Sequence, residues 1–117
     1  HFYPKDFVVR MNEEIRRAGV YTMPYIDSRL WQINDGPNHT DYMYRSHGLK
    51  YAVKNADGSL NNENYGKNQV FTVMCPGAEG WRNWMAGLTE RVASYGFDAI
   101  YHDQVGSFVS ISRTGIF

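Results

Sequence analysis

Trp81, Trp84, Met85, Leu88, Val92 and Tyr95 recur at three- and four-residue steps, and Gly96 and the apolar run Ala99-Ile100-Tyr101 follow them. No other feature of the chain constrains its fold as strongly. A side-chain period near 3.6 that stops at a glycine marks an amphipathic helix with its C-terminal stop. The short β-type run beyond it cannot be more of the same helix. The pattern predicts a helix over residues 80–95, opened by Glu79, and then a strand that delivers His102, Asp103 and Gln104 at its end. A helix feeding directly into a strand is half of the repeating unit of a parallel α/β sheet.

A second helix–strand pair stands earlier in the chain. Phe7, Val8, Met11 and Ile15 keep helical spacing behind Pro4 and Asp6, Arg16 and Arg17 fall in the last turn, and Gly19 supplies the stop. This predicts a helix over residues 5–18. Residues 20–27, Val-Tyr-Thr-Met-Pro-Tyr-Ile-Asp, read as a strand. Pro24 cannot donate to a ladder, so either pairing stops near Met23 or the strand bulges there and re-aims Tyr25, Asp27 and Arg29. Turn-forming clusters at 34–38, 55–59 and 61–64, with a tight Asp57-Gly58 turn, make residues 28–67 a long loop insertion expected to fold over a site. Residues 70–74 are another β-type run, closed by Cys75-Pro76-Gly77. The order helix, strand, loop, strand, helix, strand predicts an α/β fold of parallel (β/α) units. Three strands leave open edges, and eight such units need ~250 residues, so residues 1–117 read as part of a TIM-type (β/α)8 barrel.

Composition narrows the function classes. With 12 basic and 12 acidic side chains the net charge is zero, so no excess of positive charge exists to hold a phosphate backbone, and nucleic acid is not an expected partner. No run approaches the ~20 apolar residues that cross a bilayer, so no membrane partner is expected either. Cys75 is the sole cysteine, which excludes a disulfide within the chain and a cysteine-built zinc site. Next to Pro76 it reads as a small buried residue rather than a nucleophile. His39, His47 and His102 lack the spacing that sets two imidazoles on one helix face, and residues 75–80 lack the lysine of a phosphate loop. No metal and no cofactor are expected. Asn38-His39-Thr40 fits the glycosylation triplet, a pattern common by chance.

Polar groups gather after each predicted strand: Tyr25, Asp27, Arg29 and Trp31 after the first, Glu79 and Trp81 after the second, His102, Asp103 and Gln104 after the third. In parallel strands these ends open onto one crevice. Asp103 is the first candidate for chemistry, with a turn cap as its plain alternative. Paired carboxylates beside aromatic platforms are what glycoside hydrolysis uses, and Asp103, Asp27 and Glu79 could supply them. Two have structural alternatives: Glu79 as a helix-dipole partner, and Asp27 paired with Arg29 to fix the loop. Trp81 and Trp84 belong to a periodic core face, which leaves Trp31 as the expected sugar platform.

The segments Val-Tyr-Thr-Met-Pro-Tyr-Ile-Asp-Ser-Arg-Leu-Trp, Met-Cys-Pro-Gly-Ala-Glu-Gly-Trp and Gly-Phe-Asp-Ala-Ile-Tyr-His-Asp-Gln-Val-Gly resemble the central strands of bacterial glycoside-hydrolase-like TIM barrels, related to the α-galactosidase and α-N-acetylgalactosaminidase barrels. The resemblance runs from residue 20 to residue 106 and leaves the long loop between them unaligned. It implies an oligosaccharide or glycoside substrate, with Asp103 as the nucleophile of a retaining mechanism. Tyr25, Asp27, Arg29, Trp31, Glu79, His102 and Gln104 would then bind substrate, and an acid/base carboxylate would come from a later strand in the remainder of a parent barrel. His102 stands where such barrels more often carry an apolar residue. The competing expectation is a carbohydrate-binding or interaction module without chemistry.

Overall fold

The computed structural model describes residues 6–34, 43–66 and 69–105. Two helices, α1 (Asp6–Arg17) and α2 (Glu79–Ser94), accompany five short strands: β1 (Tyr25–Asp27), β2 (Leu30–Gln32), β3 (Asn62–Asn64), β4 (Val70–Val73) and β5 (Tyr101–Asp103). Between β2 and β3 lie a π-helical turn, Tyr44–Gly48, and a 3-10 turn, Leu49–Tyr51. Pro4, the Asn38-His39-Thr40 triplet and most of the 34–38 turn cluster lie outside the described residues.

Both helices form where the periodicity predicts, and Gly19 and Gly96 end them in the left-handed region at φ 83° and 79°. Asn12 is the buried residue of α1. Its amide donates to the carbonyls of Tyr95 (3.4 Å) and Gly96 (3.2 Å), and its oxygen accepts the Thr22 hydroxyl. Asp98 completes the tie by accepting the Thr22 N–H at 2.9 Å and Arg16 Nε at 3.1 Å. A polar hook therefore holds α1 to the end of α2, and the apolar stripe of Phe7, Met11 and Ile15 stays exposed.

The strands form two sheets, which corrects the expectation of three parallel neighbours. β1 and β5 pair in parallel with Tyr25 opposite Tyr101, Ile26 opposite His102 and Asp27 opposite Asp103. β4 instead centres an antiparallel sheet of order β2-β4-β3. The β-type composition of residues 70–74 identified a strand but carried no information on its partner. Those partners are Leu30–Gln32 and Asn62–Asn64, two short strands within the stretch expected to be a loop insertion. Asn62-Glu63-Asn64 has no β-branched or aromatic residue, and ladder bonds to β4 impose its extended shape. The Asp57-Gly58 turn forms as expected: Gly58 takes φ 84°, Asp57 accepts the Ser59 N–H at 2.9 Å, and Lys54 bridges Leu60. Pairing of β1 begins after Pro24, whose carbonyl accepts the Tyr101 N–H at 2.9 Å.

The core lies between the antiparallel sheet and α2, where Trp31, Tyr44, Met74 and Trp81 pack together. Gly48 lets the Tyr44–Gly48 turn press on this cluster, because a Cβ there would stand 2.8 Å from the buried Trp31 ring. Gly87 on α2 has open space around it. The two glycines should respond oppositely to alanine, whose helix propensity exceeds that of glycine by about 1 kcal/mol. In urea denaturation followed by tryptophan fluorescence, Gly87→Ala should raise stability by about 0.5–1 kcal/mol. Gly48→Ala should lower it by about 1–3 kcal/mol, since neither buried ring can yield. Equal gains at both positions would contradict this packing.

Candidate functional site

The parallel β1–β5 pair sorts the expected site residues onto two faces, because successive side chains in a strand point oppositely. Tyr25 and Asp27 share a face with Tyr101 and Asp103; Ile26 and His102 share the other. On the first face the Tyr25 and Tyr101 rings stack at 5.7 Å between centroids and are 60% and 48% exposed. The Tyr25 hydroxyl donates to Asp103 Oδ2 at 2.7 Å, and the Gln104 backbone N–H donates to Asp103 Oδ1 at 2.8 Å. One donor on each oxygen fixes the plane of this carboxylate at the C-terminal end of its strand. The bond to Asp103 pushes the Tyr25 phenol up to about 12, with desolvation and the charge of Asp27 acting in the same direction.

Asp27 lies beside Asp103 in the register but is differently employed. Its Oδ1 accepts the backbone N–H groups of Arg29 (2.8 Å) and Leu30 (2.9 Å), which closes the turn from β1 into β2. Asp27 thus holds the turn through backbone donors and not by pairing with the Arg29 side chain. Arg29, launched from that turn, reaches β3: its guanidinium pairs with both oxygens of Glu63, and Nη1 also donates to Gln104 Oε1 at 2.8 Å. The hydrogen bond from Arg29 draws the Glu63 carboxyl below its ordinary range, and Glu63 raises the Arg29 guanidinium in return. The Tyr65 hydroxyl donates to Glu63 at 2.6 Å, and that bond raises the phenol.

His102 faces α2. The Thr89 hydroxyl donates its proton to the Met85 carbonyl at 2.7 Å, so it accepts from His102 Nε2–H at 3.2 Å. That assigns the Nε2–H tautomer and leaves Nδ1 to accept the Ser28 hydroxyl at 2.7 Å. The ring thus ties β5 to α2 and to the β1–β2 turn, whose Ser28 carbonyl also accepts Trp81 Nε1 at 3.1 Å. A cavity of about 430 Å³ opens on this side, bordered by Met74, Met85, Thr89, His102, Gln104 and Val105.

Two of the expected residues are placed differently. Trp31 is 3% exposed inside the core, so it cannot be a platform. β2 places it against Trp81 and Trp84, at 5.7 and 5.4 Å between ring centroids. Glu79 opens α2 on the surface, and no hydrogen bond joins it to Asp103 or Tyr25 among the described residues. Among those residues no group of three His, Cys, Asp or Glu side chains could hold a metal. Glu63, Tyr65, Ser28, Thr89 and Tyr101 also take part in these bonds and contacts and are not among the residues expected there. One signal was available: β1 and β5 both read Tyr-x-Asp, a spacing of two that puts each tyrosine on the face of its aspartate.

Comparison with known proteins agrees with this architecture. The chain belongs to the family described as a domain of unknown function (DUF6259), whose profile matches residues 2–112. It is 29% identical over 107 residues to a Bacteroides thetaiotaomicron protein named "Putative glycoside hydrolase", covering 91% of this chain and 15% of that protein. Its fold is similar to that of an α-galactosidase from Thermus thermophilus, solved with p-nitrophenyl α-D-galactopyranoside, with a TM-score of 0.64 at 17% identity. That match covers 83% of this chain and 20% of the galactosidase chain. The chain thus spans a small part of each relative, and the likeness to glycoside hydrolases holds for this segment.

The Tyr25–Asp103 bond has a pH signature. The folded-state value lies above the ordinary 10.0, so the bond is intact below about pH 10 and is lost as pH rises toward 12. In an ultraviolet phenolate titration, Tyr25→Phe should remove a late-ionising phenol. Asp103→Asn should move that phenol back toward its ordinary value. Loss of an ordinary phenol in Tyr25→Phe would contradict the assigned bond.

Proposed function

We propose that the chain is a segment of a TIM-type (β/α)8 glycoside hydrolase in which β1 and β5 are barrel strands and Asp103 is the nucleophile. The observation that carries the proposal is the Asp103 carboxylate itself: it ends a parallel strand, is oriented on both oxygens, and stands beside exposed tyrosine rings on a face the segment leaves open. A parallel pair with its active groups at the C-terminal ends is how such barrels build their sites.

In this reading Asp103 attacks the anomeric carbon, the glycosidic C–O bond breaks, and the leaving oxygen takes a proton from a second carboxylic acid. Water then cleaves the glycosyl ester and restores Asp103. Tyr25 holds the carboxylate for in-line attack, while Tyr101 and Tyr25 offer flat surface to the sugar. Asp27 is committed to its turn, so the acid/base residue comes from another strand of the parent barrel. The insertion predicted over residues 28–67 reaches the site through Arg29 and Glu63.

The alternative is a binding module that performs no chemistry. The observation favouring it is that the carboxylate nearest Asp103 in the register, Asp27, is already engaged by two backbone donors. The full-length protein decides between them. With a panel of p-nitrophenyl glycosides, the α-galactoside included, Asp103→Asn should lower kcat by about a thousandfold or more with the melting temperature retained. Unchanged turnover would remove Asp103 from the mechanism. Binding of sugar by calorimetry with no turnover of any glycoside would favour the module.

A further inference from the structure

Gln104 stands at φ 58°, the one positive-φ residue other than glycine among the described residues. A left-handed backbone is unfavourable for a residue with a Cβ, and it persists only where the surroundings over-determine it. Glutamine has none of the short side-chain bonds that let asparagine or aspartate tolerate that region. The conformation nevertheless has a product: the Gln104 N–H is aimed at Asp103 Oδ1, 2.8 Å away.

The Gln104 side chain is itself held. Gln104 Oε1 accepts from Arg29 Nη1 at 2.8 Å, and Arg29 is itself held by Glu63 across β3. The Arg29 and Glu63 side chains are 16% and 28% exposed, and Tyr65 braces Glu63 from beyond. Asp27 pins the backbone at Arg29. A continuous chain of bonds thus runs from Tyr65 through Glu63, Arg29 and Gln104 to the oxygen of Asp103 that Tyr25 does not hold.

We propose that Arg29, expected from the sequence to bind sugar, is instead a positioning residue: clamped by Glu63, it holds Gln104 in the left-handed conformation that orients the Asp103 carboxylate. This rests on the reading of Asp103 as nucleophile. Reacting groups must be held within a fraction of an ångström, and a misplacement near 1 Å can cost about a hundredfold in rate. Loss of the clamp therefore appears in kcat, whereas loss of a sugar contact appears first in KM.

Gln104→Gly supplies the test, because glycine enters the left-handed region without a clamp and keeps the backbone N–H. In the full-length protein, Arg29→Met should lower kcat about 10- to 100-fold with KM within about threefold. In the Gln104→Gly background the same Arg29→Met change should lower kcat by less than about threefold, a non-additivity that a merely structural arginine would not produce. Glu63→Gln should follow Arg29→Met in both backgrounds, and it carries the comparison if Arg29→Met fails to fold. Equal losses in the two backgrounds, or a change confined to KM, would overturn the clamp. Asp103→Asn run alongside separates the cases: if it abolishes turnover while the backgrounds show equal losses, only the positioning role is lost.

Discussion

The in-register parallel pairing of β1 with β5 is the constraint on which the rest depends. A shift of one residue would turn Asp103 toward α2 and His102 outward, because the side-chain period of a strand is two. The register is held from both sides. On the open face the Tyr25 hydroxyl bonds Asp103 across the strands. On the helix side His102 is locked between Ser28 and Thr89. Strands of three or four residues bury little surface alone, so polar ties of this kind help to decide the arrangement. The Asn12–Thr22–Asp98 hook performs the same service at the other end of β1.

Within this frame, adjacent aspartates acquire different work from their surroundings. Asp27 and Asp103 are register partners with tyrosines at the same offset. Asp27 is followed by a turn whose N–H groups fold back onto its carboxylate, while Asp103 is followed by Gln104, whose conformation is set from a distant sheet. The antiparallel sheet is thereby coupled to the site. β3 supplies Glu63, Glu63 anchors Arg29, and the bonds continue to the strand end. Arg29, Glu63 and Tyr65 contribute the outer support of the candidate nucleophile.

Much of the architecture was legible in the sequence. The two helices, their glycine stops, the Asp57-Gly58 turn and the placement of Asp103 at a strand end followed from local periodicity and turn chemistry, which need only neighbours along the chain. What was illegible depended on distant partners. Val70–Val73 reads equally well as a parallel or an antiparallel strand until β2 and β3 are known to flank it. Asn62–Asn64 is extended because of its ladder, against its own propensity. Trp31 lies outside any periodic segment and so looked like a surface platform, yet the antiparallel sheet carries it into the core. Which expected site residues share a face was not legible, since face, register and the Arg29–Glu63 pair are properties of pairing.

The most direct measurement of the central claim is covalent trapping. A fluorinated glycoside with an activated leaving group slows hydrolysis of the glycosyl ester, and peptide mass mapping of the full-length protein then locates the label. The account predicts the adduct on Asp103, at the end of the strand that pairs with β1. An adduct on Asp27 or on another carboxylate, or turnover without any adduct, would contradict it.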